Sequence, residues 1–406
     1  MIQRRWAPFC LLAAAMCIAR FAEAGVWGAQ PVVGVSGDYY SNPGLLTTSN
    51  TAESHAALLV DAPTTYNGDA FKFSVLPSFR LSDSQGYSSL DSDYEHLNVS
   101  SEFDTARSAL ILTAGLARDS SLYHDFILDG AVGVRRDTAN ADLNWDRHLT
   151  ERLEFTSDIN YSRVRYGQSA GIGTLTDYKY TSIAPGLTWD ESEQTKITSA
   201  ASVAQYKSLD GMTESKSANL QLGFSKKLSE IWSLSATAGY SRANNEIGFN
   251  EEAVELTPEG FVLVLIPIQL KSNQNGSIFS VNLCRQTERL NFTADASRKL
   301  VPSGFAFLSL QQSYGVHVTF AESERWTLGA DVHRIEYQNP SQNAVVTADV
   351  KVTNVTAFAT WQWTEHWTVT MNASRLMERY GPPNTNIASS GVSVEVARHF
   401  DWKQFQ

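Results

Sequence analysis

An all-β chain that crosses a membrane as an antiparallel up-and-down barrel of about 18 strands (alternatively 16) is what this sequence predicts. Three observations carry the expectation: segments that alternate apolar and polar residues from end to end, a tight-turn motif at roughly one-hairpin spacing, and tryptophans gathered beside those turns.

The alternation has period two, so one face of each segment is apolar and the other is small and polar. Leu153, Phe155, Ile159 and Tyr161 interleave with Glu154, Thr156, Asp158 and Asn160. Trp232, Leu234, Ala236 and Ala238 interleave with Ser233, Ser235 and Thr237, and Leu290, Phe292 and Ala294 with Asn291, Thr293 and Asp295. Trp367, Val369 and Met371 interleave with Thr368, Thr370 and Asn372. A soluble β-sandwich alternates too, but its strands run about 5–6 residues. These segments run about 10–14, enough for the 9–11 tilted residues that cross hydrocarbon.

The turn motif reads Ser/Thr-Glu, one variable residue, then Trp or Leu. It stands at Thr150-Glu151-Arg152-Leu153, Ser229-Glu230-Ile231-Trp232, Thr287-Glu288-Arg289-Leu290, Ser323-Glu324-Arg325-Trp326 and Thr364-Glu365-His366-Trp367, with a degenerate member at Ser192-Glu193-Gln194-Thr195. Successive glutamates lie 42, 37, 58, 36 and 41 residues apart. Longer connections with Gly, Pro and Asn alternate with the tight turns, for example Gly167–Thr174, Leu209–Met212, Asn339–Asn343 and Gly381–Asn386. Short turns at one end and long loops at the other is the topology of bacterial outer-membrane barrels. The 58-residue gap holds an insert near 248–273, expected as a long hairpin, with a loop folded into the pore as the alternative.

Trp145, Trp189, Trp232, Trp326, Trp361, Trp363 and Trp367 lie within about six residues of a tight turn, as an interfacial aromatic belt requires. Tyr166, Tyr206, Tyr240, Tyr337 and Tyr380 are expected to form the opposite belt. Eighteen strands, beginning near 31, 54, 69, 94, 108, 136, 152, 176, 195, 215, 231, 275, 290, 306, 325, 352, 366 and 389, put both termini on the short-turn side, which is periplasmic.

The N-terminus has the form of an export signal. Arg4 and Arg5 precede the apolar run Ala7–Ala19, and Phe21-Ala22-Glu23-Ala24 supplies an A-x-A site, with cleavage expected between Ala24 and Gly25. Residues 1–24 are thus the expected signal peptide and 25–406 the barrel. Removing Arg4, Arg5 and Arg20 against Glu23 takes the net charge from −11 to −13. So acidic a chain is not a nucleic-acid binder. Of Cys10, Cys17 and Cys284 only the last remains, which leaves no intrachain disulfide.

The lumen-facing set expected from the alternation includes Asp158, Asn160, Ser235, Thr237, Asp295, Asp331, His333 and Asn372. It is short, polar and free of Lys and Arg ladders. Such a lining suits neutral hydrated solutes such as sugars and equally suits plain hydration of a wide pore. Asp331 and His333 share one face of one strand without a nucleophile beside them, so they read as a pore-lining pair and not as catalytic groups. Cys284 shares the face of Ser280 and Asn282 and reads as an unreactive lumen thiol. No dinucleotide, phosphate-loop or zinc pattern stands in a suitable context, so no enzyme, cofactor or metal is expected.

The opening Val32-Val33-Gly34-Val35-Ser36-Gly37-Asp38-Tyr39-Tyr40-Ser41-Asn42-Pro43 resembles the first strand and loop of a group of outer-membrane β-barrel porins, many encoded beside exopolysaccharide synthesis genes. Arg135-Arg136-Asp137 leading to Leu149-Thr150-Glu151-Arg152 resembles the same group. The last strand, Gly391 to Phe400, resembles the C-terminal signal read by the barrel assembly machinery, from which the tail Asp401–Gln406 departs. The resemblance implies a passive outer-membrane conduit for exopolysaccharide or oligosaccharide export in a Gram-negative cell, with outer-membrane lipid, the assembly machinery and periplasmic polysaccharide export components as partners. The alternatives are a general diffusion porin and, in another class, a structural or adhesive barrel or a barrel enzyme.

Overall fold

The computed structural model describes residues 25–43, 45, 52–84, 93–120, 134–167, 175–257, 260–303, 308–338, 350–379, 386–400 and 402–405. The expected signal segment 1–24, with Ala24 of the expected cleavage pair, lies outside them, as do most of the loops at 167–174, 339–343 and 381–386; Gly25 is the first residue described.

The strands are β1 (Val26–Ala29), β2 (Val32–Tyr40), β3 (Glu53–Asp61), β4 (Thr64–Asn67), β5 (Phe71–Ser84), β6 (Tyr94–Asp104) and β7 (Ser108–Ser120). They continue with β8 (Arg135–His148), β9 (Leu153–Tyr166), β10 (Tyr178–Ser192), β11 (Thr195–Ser208), β12 (Thr213–Lys227), β13 (Trp232–Thr257) and β14 (Gly260–Gln286). The last seven are β15 (Leu290–Pro302), β16 (Leu308–Ala321), β17 (Trp326–Gln338), β18 (Val350–Thr364), β19 (Trp367–Arg379), β20 (Asn386–His399) and β21 (Trp402–Phe405). Every neighbouring pair is antiparallel, and β2 pairs with both β3 and β20. Eighteen of the strands, β2, β3 and β5 to β20, therefore close on themselves and leave no sheet edge around the ring.

The tight turns explain their own sequence. In each, the Ser or Thr that opens the motif turns its hydroxyl back as a surrogate backbone acceptor. Thr150 Oγ1 accepts the Leu153 N–H at 3.0 Å, Ser229 Oγ that of Trp232 at 3.2 Å, Thr287 Oγ1 that of Leu290 at 2.9 Å and Ser323 Oγ that of Trp326 at 3.2 Å. The motif thus fixes where each new strand begins.

The three short strands continue longer ones. β1 and β4 keep the register of β2 and β3, and β21 follows β20 in pairing with β1, so the seam extends beyond the turn-side rim as a small apron. The breaks fall at prolines, which cannot donate to a ladder but still accept. Pro31 O takes the Phe400 N–H, Pro63 O that of Gln30 and Pro77 O that of Ala62, at 2.9, 3.1 and 3.1 Å. Trp27 packs on Tyr66 at a 5.0 Å centroid distance. The tail that departs from a chain-ending signal is accommodated here, with Trp27 opposite Phe405 and Ala29 opposite Trp402.

The wall parts at one place. β13 and β14 pair without interruption as far as Thr257↔Gly260, while β12 leaves them at Thr213↔Ile247. The hairpin therefore rises about 30 Å past its neighbour at 3.3 Å per residue. On its other side β14 pairs with β15 only from Gln286↔Asn291 to Phe279↔Arg298. Above that point β15 and β16 stay together to Pro302↔Leu308 but part from β14, and Arg298 Nη1 reaches back to Ser277 Oγ at 3.3 Å.

Candidate channel lumen

Alternation along each strand of the closed ring divides its residues between an outer and an inner face. Val35, Leu58, Leu112, Ile183, Val203, Leu220, Leu222, Val316, Val332, Met371 and Val394 stand exposed on the outer face, an apolar surface that only lipid would cover. At the turn end of that face lies the aromatic belt. Trp326 stacks on Trp361 at 5.7 Å and Trp361 on Trp363 at 6.2 Å, while Trp145 and Trp232 meet Phe155 and Phe292 edge-on. Arg285 and Arg398 lie over the rings of Trp232 and Trp367 at 5.6 and 5.7 Å. No helix among the described residues is long and apolar enough to cross a membrane. The chain is an outer-membrane β-barrel.

The inner face is polar. Ser235, Asn282, Asp295, Gly315, His333 and Asn354 form one cross-strand row through β13 to β18. At Gly315 a β-carbon would stand 2.3 Å from Asp295 Oδ1, so a larger residue would make that carboxylate swing aside. Thr237 begins a second row through Ser280 and Ser297 to Ser313, the last two hydroxyls 2.7 Å apart. Asp331 shares its strand with His333, but the imidazole it meets is His317 on β16, at 3.7 Å, and His317 in turn bonds Thr319 at 2.8 Å. Asn372 Nδ2 donates to Ser393 Oγ at 3.3 Å. Asp158 and Asn160 lie far from these on β9, where Asn160 bonds Asp142 of β8 and Asp158 stays exposed. Asp158, Thr237, Asp295, Asp331 and Asn372 each lie five residues past the first residue of a strand that leaves a tight turn, so they share one level of the lumen. Cys284 Sγ lies 4.0 Å from Asn291 Oδ1 and Thr293 Oγ1.

Sequence patterning missed an ion-pair arc on the inner face from β2 to β8. Arg80 bonds Asp38; Arg136 holds Asp119 through two hydrogen bonds of 3.0 and 3.1 Å, and His96 approaches the same carboxylate at 3.5 Å. Buried Glu53 and His55 lie 3.6 Å apart. Both guanidiniums on this arc are thus engaged by carboxylates. The register of β7 against β8, which pairs Asp119 with Arg136, was the missing information.

The loop-side mouth is narrowed from two directions. Leu45, in the left-handed region at φ 47°, closes a turn in which its N–H donates to Asn42 O at 3.2 Å. For a branched side chain that conformation costs about 1–3 kcal/mol. The turn drives Leu45 into an interior cluster with Val350 and Ile387, against which Tyr337, Val352 and Leu376 pack. From the other side the β15–β16 tip reaches past β14, β13 and β12. Leu308, 1% exposed, packs with Val164, Tyr178 and Tyr206, and the Tyr206 hydroxyl donates to Ser303 O at 3.2 Å. Tyr206 is fully buried and stacks on Tyr178 at 5.0 Å. This corrects one expectation. Tyr166, Tyr206 and Tyr337 belong to the lumen, only Tyr240 of the expected belt stands on the lipid side, and Tyr380 lies outside the described residues.

No protein-family model matches the chain, and no curated protein does. Solved structures with a similar outline include Pseudomonas aeruginosa OccK2 (OpdF) in complex with glucuronate, at 11% identity and TM-score 0.44, covering 92% of this chain and 98% of that one. Pseudomonas aeruginosa OpdO is 13% identical at TM-score 0.45, over 93% and 98% of the two chains. The ferric-catecholate import receptor Fiu of E. coli is 8% identical at 0.48, over 93% and 82%. Likenesses at this level carry no cargo with them.

Proposed function

We propose that the barrel is a passive channel for hydrated polar solutes, with saccharides as the cargo and export of exopolysaccharide or oligosaccharide as its direction. The carrying observation is the rows of hydroxyl, amide and carboxylate groups on the inner face from β13 to β20, set against guanidiniums that carboxylates already hold on β5 and β8. Hydroxyls and amides exchange hydrogen bonds with water and sugar alike, so a neutral polyol passes without a large desolvation cost. The export direction rests on the sequence resemblance. A general diffusion porin is the second reading, and the two inward-packed segments at the loop-side mouth speak against a permanently open pore of that kind. Deletion of the gene distinguishes them. Export predicts polymer stranded in the periplasm with normal sugar uptake. Slowed uptake of small solutes with unchanged exopolysaccharide would instead establish the porin.

A further inference from the structure

On the outer face at the loop end, β9, β10 and β11 bring three cations directly opposite one another, Arg163↔Lys179↔Lys207. Residues opposed across a ladder have β-carbons about 4.5–5.5 Å apart, and like charges there destabilise the sheet. Several other cations on this rim are neutralised locally. Arg118 is paired with Asp137, Lys271 with Glu246 at 2.8 Å, and Arg334 and Lys351 with Glu336. Among the described residues Arg163 and Lys179 have no such partner, Arg163 Nε is buried without an acceptor, and Lys207 has only Glu214 opposite it. The carboxylate next in the row, Glu214 opposite Lys207, is occupied by Lys216 and Gln205 at 2.8 and 2.7 Å. Toward the turn end the next row on the same three strands is Tyr161, Thr181 and Gln205, and the one after it is Ile159, Ile183 and Val203, all three exposed. An apolar strip capped by a cluster of three cations is complementary to an amphiphile with an anionic head.

We propose that this strip is a binding site for a phosphorylated glycolipid of the outer leaflet, its acyl chains on Ile183 and Val203 and its phosphate on Arg163, Lys179 and Lys207. Phosphate is the anion that can accept from all three cations at once, and the triplet lies where the long loops place the outer headgroups. The site is independent of what passes through the lumen.

The test is native mass spectrometry of the full barrel in neutral detergent, titrated with a bis-phosphorylated glucosamine-disaccharide lipid and with the same lipid dephosphorylated. The wild type should prefer the phosphorylated form by about tenfold. The K179Q/K207Q variant should lose that preference, K351Q should keep it, and millimolar inorganic phosphate should not displace the lipid. Equal retention of the two lipids by wild type would overturn the site, and this comparison needs no variant to fold. A retained preference in heat-modifiable, folded K179Q/K207Q would overturn the assignment to these residues. Displacement by inorganic phosphate would convert the site to one for free anions.

Discussion

At the scale of single residues, parity along a strand decides solvent, and neighbouring positions should respond oppositely to one substitution. Ala236 lies between Phe224 and Val281 on the outer face, and Thr237 between Gly223 and Ser280 on the inner one. Ala236→Arg should therefore impair assembly, because a mid-bilayer arginine on the lipid side costs about 2–4 kcal/mol. Thr237→Arg should assemble and alter only the pore. Equal recovery of both from outer-membrane fractions would refute the faces. Tyr206→Phe deletes one hydroxyl without changing shape, removes the tie to Ser303 and costs about 1 kcal/mol. The β15–β16 tip should then leave the lumen more often, read as longer or larger open events in single-channel records. Parity could have placed Tyr206 beforehand, since it shares the face of Ala204 and Ser202. Proximity to a strand end, the cue used for an aromatic belt, cannot tell one face from the other.

At the scale of elements, the strands were the most legible part, because a two-residue period and a self-capping turn are both local. The hydroxyl-to-amide bonds at Thr150, Ser229, Thr287 and Ser323 show why the motif is readable without tertiary information. In a Cys284→Ser background, a cysteine at Asp210 should react with a membrane-impermeant maleimide on whole cells. Cysteines at Glu230 or Glu324 should react only after the outer membrane is opened, and the reverse pattern would invert the barrel. Less legible were the elements whose position depends on distant strands. Nothing local marks that β14 loses β15 at Phe279↔Arg298, or that the β15–β16 tip then crosses toward β11. The Asp119–Arg136 pair is illegible for the same reason, being a fact of register. Arg136→Gln would take the two guanidinium bonds from a buried carboxylate and leave His96 beside it, measurable as a lower temperature of heat-modifiable unfolding.

At the scale of the whole molecule, strand number sets the interior. Eight strands fill their core with side chains, whereas sixteen to eighteen leave room for water. This barrel has the larger number, and its inner face at mid-height is lined by polar side chains with exposed carboxylates at Asp158 and Asp295. Sequence alone could reach that lining as a pattern, but not the two inward-packed segments that narrow the mouth. The most direct test is the reversal potential of the purified barrel in planar bilayers under a salt gradient, alone and with residues 303–308 replaced by a short glycine linker. A hydrated, carboxylate-lined lumen predicts discrete conductance steps with a mild preference for cations, enlarged in the linker variant. A folded, inserted barrel that passes no current in either form would contradict the channel.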